Sequence, residues 1–252
     1  MAKMGGTRHL KRLAAPWFWP VLRKEYKWVV KPSPGPHSID RSIPLMIVVR
    51  DILGYAKTAK EAKYIIQSGK VLVDGVVRKD YKFPIGIMDV VAIPEIELYT
   101  RFIPYPTKYL WFTKIPREEA NLKIVRIENK VTVKGGHMQL NLSDGRNLVL
   151  RVKDPKHPIE VANFATLDSL LIEIPSQQII QHIKLAIGKL AIVIDGKNTG
   201  RIGKIVNMDV KPGLKRRKSV VTLEDTQGHK FQTILDYIMV VGDEKPLLTL
   251  SS

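Results

Sequence analysis

Between residues 43 and 66 the apolar positions recur with a helical period. Leu45, Val48, Val49, Ile52 and Leu53 fall at i, i+3, i+4, i+7 and i+8, the spacing of one helix face. Ser42 is placed to cap this helix, Pro44 is tolerated in its first turn, and Gly54 ends it. Thr58-Ala59-Lys60-Glu61 has the form of a capping box, in which the Thr oxygen takes a free backbone N–H and the Glu reaches back. Ala59, Ala62, Ile65 and Ile66 then face inward on a second helix closed by Gly69. The period next shortens to two. Val71-Leu72-Val73 and Val76-Val77 flank Asp74-Gly75, a strong type I′ hairpin signal, and Asp89 to Ile93 adds a strand after a turn at Gly86.

Beyond residue 106 the pattern is almost all strand. Leu122–Ile127, Val131–Val133, Met138–Leu142 and Asn147–Val152 are short apolar runs separated by turns at Asn129-Lys130, Gly135-Gly136 and Asp144-Gly145. Met138, Leu140 and Leu142 alternate as on a half-buried strand. Asp154-Pro155 and His157-Pro158 interrupt, and Ser169–Ile174 reads as one more strand. A second group follows: Leu190–Ile194, Gly200–Val206, Ser219–Leu223, Lys230–Ile234 and Ile238–Val241, the dimensions of a small five-stranded barrel. Residues 246–252 form a short tail without signal.

Composition narrows the possibilities. The chain has 252 residues, 44% hydrophobic, and no cysteine. It is long enough for several small domains and too apolar for general disorder. Disulfides, thiolate metal sites and a Cys nucleophile are excluded, and a reducing compartment fits. No apolar run reaches the roughly 18 residues of a membrane span, and the N-terminal stretch lacks the apolar core of a secretory signal.

Charge changes the picture more. Forty-one Lys and Arg stand against 24 Asp and Glu, a net charge of +17. The excess is spread along the chain and is densest in residues 1–42, with nine basic against two acidic residues. A polyanion touching several regions explains this distribution better than one pocket for an acidic substrate. In residues 1–42 the cations Arg8, Lys11, Arg12, Arg23, Lys24 and Lys27 are interleaved with Trp17, Phe18, Trp19 and Trp28, and residues 31–37 read as an extended Pro-rich linker. Such a segment suits threading along RNA, its cations on phosphates. The aromatic rings fit two roles, stacking on bases or anchoring the arm to the folded body. On the second helix Lys60, Lys63 and Gln67 share a face at i, i+3 and i+7 and can point at one partner. For any single Lys a solvated face is the ordinary use; the clustering is what points to a ligand.

The order of two helices and a hairpin, with the run Ile66-Gln67-Ser68-Gly69-Lys70-Val71-Leu72-Val73-Asp74-Gly75, resembles a small RNA-binding module. It is the one found in bacterial-type small-subunit ribosomal protein four, pseudouridine synthases and tyrosyl-tRNA synthetases. One departure is Ala59-Lys60 where many members carry Ser-Arg; Lys keeps the charge but not the two-pronged phosphate contact. Gly188 to Val206, with Gly200 and Gly203 around Arg201, resembles the KOW motif. For both glycines turn geometry explains the residue more readily than direct contact with RNA. Over essentially the whole chain the sequence resembles the small-subunit ribosomal protein S4e family of archaeal and eukaryotic type. Further matches are His9 to Pro16, Gly35-Pro36-His37, Gly86 to Val91, and Asn198 to Gly203. The short length, without a long basic C-terminal extension, points to the archaeal version.

The resemblance implies an α+β, multidomain protein. Its parts would be an extended basic N-terminal arm (1–42), a two-helix-plus-sheet RNA-binding module (43–106), a central β domain (107–186), and a C-terminal SH3-like KOW β-barrel (187–245). It implies a structural constituent of the small ribosomal subunit in the cytoplasm, partnered by ribosomal RNA and neighbouring ribosomal proteins, with no membrane, small-molecule substrate or cofactor. The candidate RNA-binding residues are Arg8, Lys11 and Arg12 in the arm, Arg50, Lys57, Lys60 and Lys63 in the module, and Arg201, Lys204, Arg216 and Arg217 in the barrel. No catalytic constellation is found. The six His do not form a metal-ligand spacing, Gly200 to Lys204 is not a phosphate loop, and Asp154 and Glu160 read as surface groups. The rival readings are an RNA-modifying enzyme, against which the absence of an Arg-Leu-Asp tripeptide speaks, and a KOW-containing transcription or assembly factor.

Overall fold

The computed structural model describes residues 7–152, 163–209 and 219–250. Arg216, Arg217, Asp154 and Glu160 lie outside these. The arm is folded back rather than extended. Strand β1 (Leu10–Lys11) pairs antiparallel with β2 (Trp28–Val29), so the intervening residues form a closed loop. The reason is apolar: Phe18 and Trp19, in that loop, are buried in the same core as Ile43, Ile47, Ile66 and Phe102. Phe18 meets the Tyr109 ring at 4.8 Å, and the Trp19 indole N–H donates to the Ser42 carbonyl at 2.8 Å. Burying two such rings outweighs the freedom of an open arm.

The module begins with β3 (Ile43–Pro44). The first helix opens only after this strand, where its apolar spacing begins but later than a cap at Ser42 implies: α1 (Leu45–Ile47) runs directly into a π-helical turn over Val48–Ile52. Ser42 is not its cap. It is fully buried, and its hydroxyl donates to the Ser38 carbonyl instead. The second helix, α2 (Ala59–Gln67), carries the expected capping box, with Glu61 N–H donating to Thr58 Oγ1 at 3.2 Å. After it come β4 (Leu72–Val73), β5 (Val76–Val77), β6 (Pro84–Ile85), which pairs with β3, and β7 (Val90–Ile93). The long hairpin β8 (Leu98–Tyr105) and β9 (Tyr109–Lys114) completes the five-stranded sheet in the order β5-β4-β7-β8-β9. By sequence β9 falls in the central domain; its pairing with β8 puts it on the module's sheet. Strand β7 reads as an uninterrupted apolar run because both its faces are covered. Val91 and Ile93 point into the helix-side core, and Val90 into the core of the next sheet.

The central sheet holds β10 (Leu122–Thr132), β11 (Met138–Leu142), β12 (Asn147–Leu150), β13 (Ser169–Glu173) and β14 (Ile179–Ile183), in the order β12-β11-β10-β13-β14. Asn129-Lys130 is not a turn. It continues β10 past a register shift between Ile127 and Asn129, a bulge that mimics a turn in sequence. The C-terminal sheet holds β15 (Leu190–Val193), β16 (Ile202–Asp209), β17 (Val220–Glu224), β18 (Lys230–Ile234) and β19 (Ile238–Gly242), antiparallel throughout and ordered β18-β17-β16-β15-β19.

The three large sheets share a junction. Met88 and Ile103 from the module meet Ile124 and Leu171 from the central sheet and Ile192 and Met239 from the C-terminal sheet. Leu248 and Leu250 plug this junction, and Thr249 donates through its N–H and hydroxyl to Glu119 at 3.0 and 2.8 Å. The tail that carries no sequence signal is therefore part of the core.

Candidate nucleic-acid interface

The arm and the module enclose a groove of about 890 Å³. One wall is the β1–β2 end of the arm, and the other is the start of α2 together with Tyr81 and Lys82. The folding back of the arm on Phe18 and Trp19 is what brings these walls together. Seven cations line the groove, Arg8, Lys27, Lys31, Arg50, Lys57, Lys63 and Lys82, against two carboxylates, Glu25 and Asp51. Asp51 is already engaged, since Arg50 forks onto it through Nε at 3.0 Å and a terminal nitrogen at 2.8 Å. That hydrogen bond raises the Arg50 pKa against the opposing effect of burial. The guanidinium therefore stays charged but has part of its donor set occupied.

Four of the sequence candidates, Arg8, Lys57, Lys63 and Arg50, thus converge on one site. Lys63 lies 4.6 Å from the centroid of the Tyr81 ring, and Lys27 lies 5.5 Å from that of Trp28. The backbone N–H of Lys57 is held by Glu61 at 2.8 Å, which fixes the turn while the Lys side chain stays exposed. Lys31, Tyr81 and Lys82 were not singled out by sequence; Tyr81 and Lys82 come from the loop before β6, which the β3–β6 pairing and the Met46 N–H donating to the Tyr81 carbonyl at 3.0 Å carry to the helices. Tyr26 was not singled out either; the interleaving of Lys27 with Trp28 was the usable signal for the arm wall.

Other candidates lie elsewhere. Lys11 is exposed on β1 and Lys60 on α2, both outside the groove. Arg12 corrects the sequence reading: it is buried, its Nε donates to the Leu22 carbonyl at 3.1 Å, and its backbone N–H donates to the Lys27 carbonyl at 3.0 Å. It closes the arm on itself instead of facing a ligand. Arg201 is exposed, 5.5 Å from the Phe231 ring centroid, on a second crevice that also includes Trp17, Arg41 and Asp195. Lys204 is exposed on β16. Gly200 does not face a ligand; a Cβ there would stand 2.4 Å from Pro106 Cδ and 2.6 Å from its nitrogen, so it lets the C-terminal sheet approach the β8–β9 turn. Of Trp17, Phe18 and Trp19, the last two are anchors, whereas Trp17 is 69% exposed.

Fold and groove together define a class: a three-sheet basic protein built around a two-helix module whose cationic face is completed by its own N-terminal segment. Three family matches tile most of the chain, the RS4NT domain at residues 4–40, the S4 domain at 43–91 and Ribosomal family S4e at 96–179. Relatives named small ribosomal subunit protein eS4 are similar along the whole length. That of Desulfurococcus amylolyticus is 57% identical over 250 residues, covering 99% of this chain and 98% of the relative. That of Aeropyrum pernix is 54% identical with the same coverage. The crystal structure of the 30S ribosomal protein S4e from Thermoplasma acidophilum superposes with a TM-score of 0.66 at 26% identity, covering 84% of this chain and all of that one. The chain belongs to the ribosomal S4e family.

Proposed function

We propose that this chain is a structural constituent of the small ribosomal subunit, working in the cytoplasm in support of translation. It binds ribosomal RNA through several basic surfaces and packs against neighbouring ribosomal proteins. The family is one of ribosomal structural proteins, not of enzymes. The observation that carries the reading is the arm–module groove, where seven cations face two carboxylates. Charges gathered from two separated stretches of chain onto one concave surface suit a phosphodiester backbone. Arg201 and Lys204 form a further contact surface on the C-terminal sheet, which we read as a KOW-type SH3-like barrel from its five antiparallel strands and the Gly200 to Gly203 motif. Arg216 and Arg217 lie outside the described residues and stay RNA-binding candidates on their sequence alone. Lys11 and Lys60 flank the groove as outer phosphate contacts. No described helix is long and apolar enough to cross a membrane.

A tagged copy of the chain is expected to sediment with small subunits and to stay with them in high salt; a factor that only visits would be washed off. At finer grain, Lys57→Gln with Lys63→Gln should lower the slope of log affinity for ribosomal RNA against log salt by about 0.7–0.9 for each phosphate no longer neutralised. An unchanged slope would remove these two residues from the interface.

A further inference from the structure

We propose that the arm–module groove is a subsite for one unpaired nucleotide, its base seated on the Tyr26–Trp28 wall and its flanking phosphates on Lys57 and Lys63. This rests on the RNA-binding reading above and says which form of RNA the groove selects.

Three features point to it. First, the wall carries flat rings that the fold does not cover. Tyr26 is 65% and Trp28 51% exposed, although the His9 ring stands 5.5 Å from that of Trp28. Exposed rings of this size beside an apolar floor of Leu10, Val29 and Met46 suit a planar, weakly hydrated partner. Second, the charge around those rings is cationic and comes from side chains. The N-terminus of α2 is a poor anion site, because the Glu61 carboxylate sits on it, accepting from the N–H groups of Lys57 and Thr58, while the Glu61 N–H donates to Thr58 Oγ1. The anion contacts therefore fall to the lysines that line the same groove as the rings. Third, the groove volume of about 890 Å³ lies within the roughly 300–1,000 Å³ of sites that enclose a small ligand.

A base inside an A-form duplex is stacked on both faces and cannot offer a ring to Trp28, whereas an unpaired base can. An acidic peptide would satisfy the lysines but leave the rings in water. The Trp17 crevice does not have the same character. Its Arg41 is paired with Asp195 at 2.8 Å, and Asp40 offsets a further cation.

The test uses the full chain and four probes: a short single-stranded oligouridylate, the same ribose-phosphate strand without bases, an RNA duplex, and a glutamate-rich peptide. The oligouridylate should bind more tightly than the abasic strand by roughly 5- to 150-fold, the effect of one stacked base. Trp28→Ala should abolish that difference, and Trp28→Phe should keep most of it; both replace an exposed residue, and circular dichroism will show whether the fold is retained. The inference fails if the abasic strand, the duplex or the peptide binds as tightly as the oligouridylate, or if a folded Trp28→Ala protein keeps the full preference. Salt-dependent binding of the abasic strand would then leave the broader RNA-binding reading standing. Absence of binding by every nucleic-acid probe would overturn both.

Discussion

Lys123 is the side chain on which the seam between module and central sheet turns. It is 1% exposed and meets three carboxylates, Asp74 at 2.7 Å, Asp89 at 2.5 Å and Asp144 at 3.3 Å. Arg146 adds a second cation, 2.7 Å from Asp74 and 3.1 Å from Asp144, and the His37 ring approaches Asp89 at 3.0 Å. Buried acids of like charge are tolerated only while paired. Lys123→Met should therefore destabilise the protein by about 3–5 kcal/mol, the usual cost of orphaning a buried charge, read from the urea midpoint at neutral pH. The pH dependence has a definite sign. Burial alone would raise the Asp89 pKa, but His37, Lys123 and the Gly86 N–H outweigh it and hold the carboxyl below its ordinary range. A group depressed on folding stabilises above its unfolded pKa of about 3.9, and that stabilisation drains away as pH falls further. Lys123 is burdened by burial, yet the three Asp raise its pKa, so its contribution holds below about 10.4 and is lost as pH rises. Stability should fall on acidification below about pH 4, and Asp89→Asn should flatten that limb; an unaltered limb would show that the acid sensitivity arises elsewhere. None of this was legible in sequence. Asp74-Gly75 reads as a turn, and it is one, but its side chain finds Lys123 49 positions away. Local pattern carries no record of such a partner.

At the scale of elements, what could be read was what depends on near neighbours. The capping box of α2 and the Asp74-Gly75 hairpin involve residues three apart or fewer, and both are present as expected. The start of the first helix was missed because Ser42 is recruited by Ser38 and Trp19, hydrogen bonds that replace its capping role. The Pro-rich linker over residues 31–37, which reads as extended, is pinned to the module. Ser33 N–H donates to the Lys82 carbonyl at 2.9 Å, and the His37 ring lies on Gly86, where a Cβ would stand 2.3 Å from Cγ of the imidazole. Gly86→Ala must therefore push the ring off Asp89. It should destabilise the protein by about 1–3 kcal/mol, as overpacking does, and should speed proteolysis within the linker. A linker cut no faster than in the wild type would mean that His37 does not hold it.

For the molecule as a whole, the net charge of +17 was the most informative quantity in the sequence, but it did not say which cations face outward. Arg101, Lys123 and Arg126 are buried. Arg126 donates to the carbonyls of Asp236 and Ile238 at 2.7 and 2.8 Å, tying the central sheet to the C-terminal one. What gathers seven of the remaining cations onto one surface is the docking of the arm, so the proposed groove predicts that RNA affinity depends on a residue outside it. Trp19 is 2% exposed and shares the module's core; it does not line the groove. Trp19→Ala should cost about 3–5 kcal/mol through the cavity it leaves and should loosen the arm that carries Arg8, Lys27 and Trp28. Affinity for single-stranded RNA should then fall at least as far as in the Lys57→Gln, Lys63→Gln protein, while the C-terminal sheet keeps its own amide protection in hydrogen exchange. Trp17→Ala, which removes an exposed ring from the same loop, controls for composition and should leave both stability and groove binding nearly unchanged. Should Trp19→Ala bind RNA normally while its arm is cleaved rapidly by protease, the two walls would be acting separately. The module alone would then account for recognition.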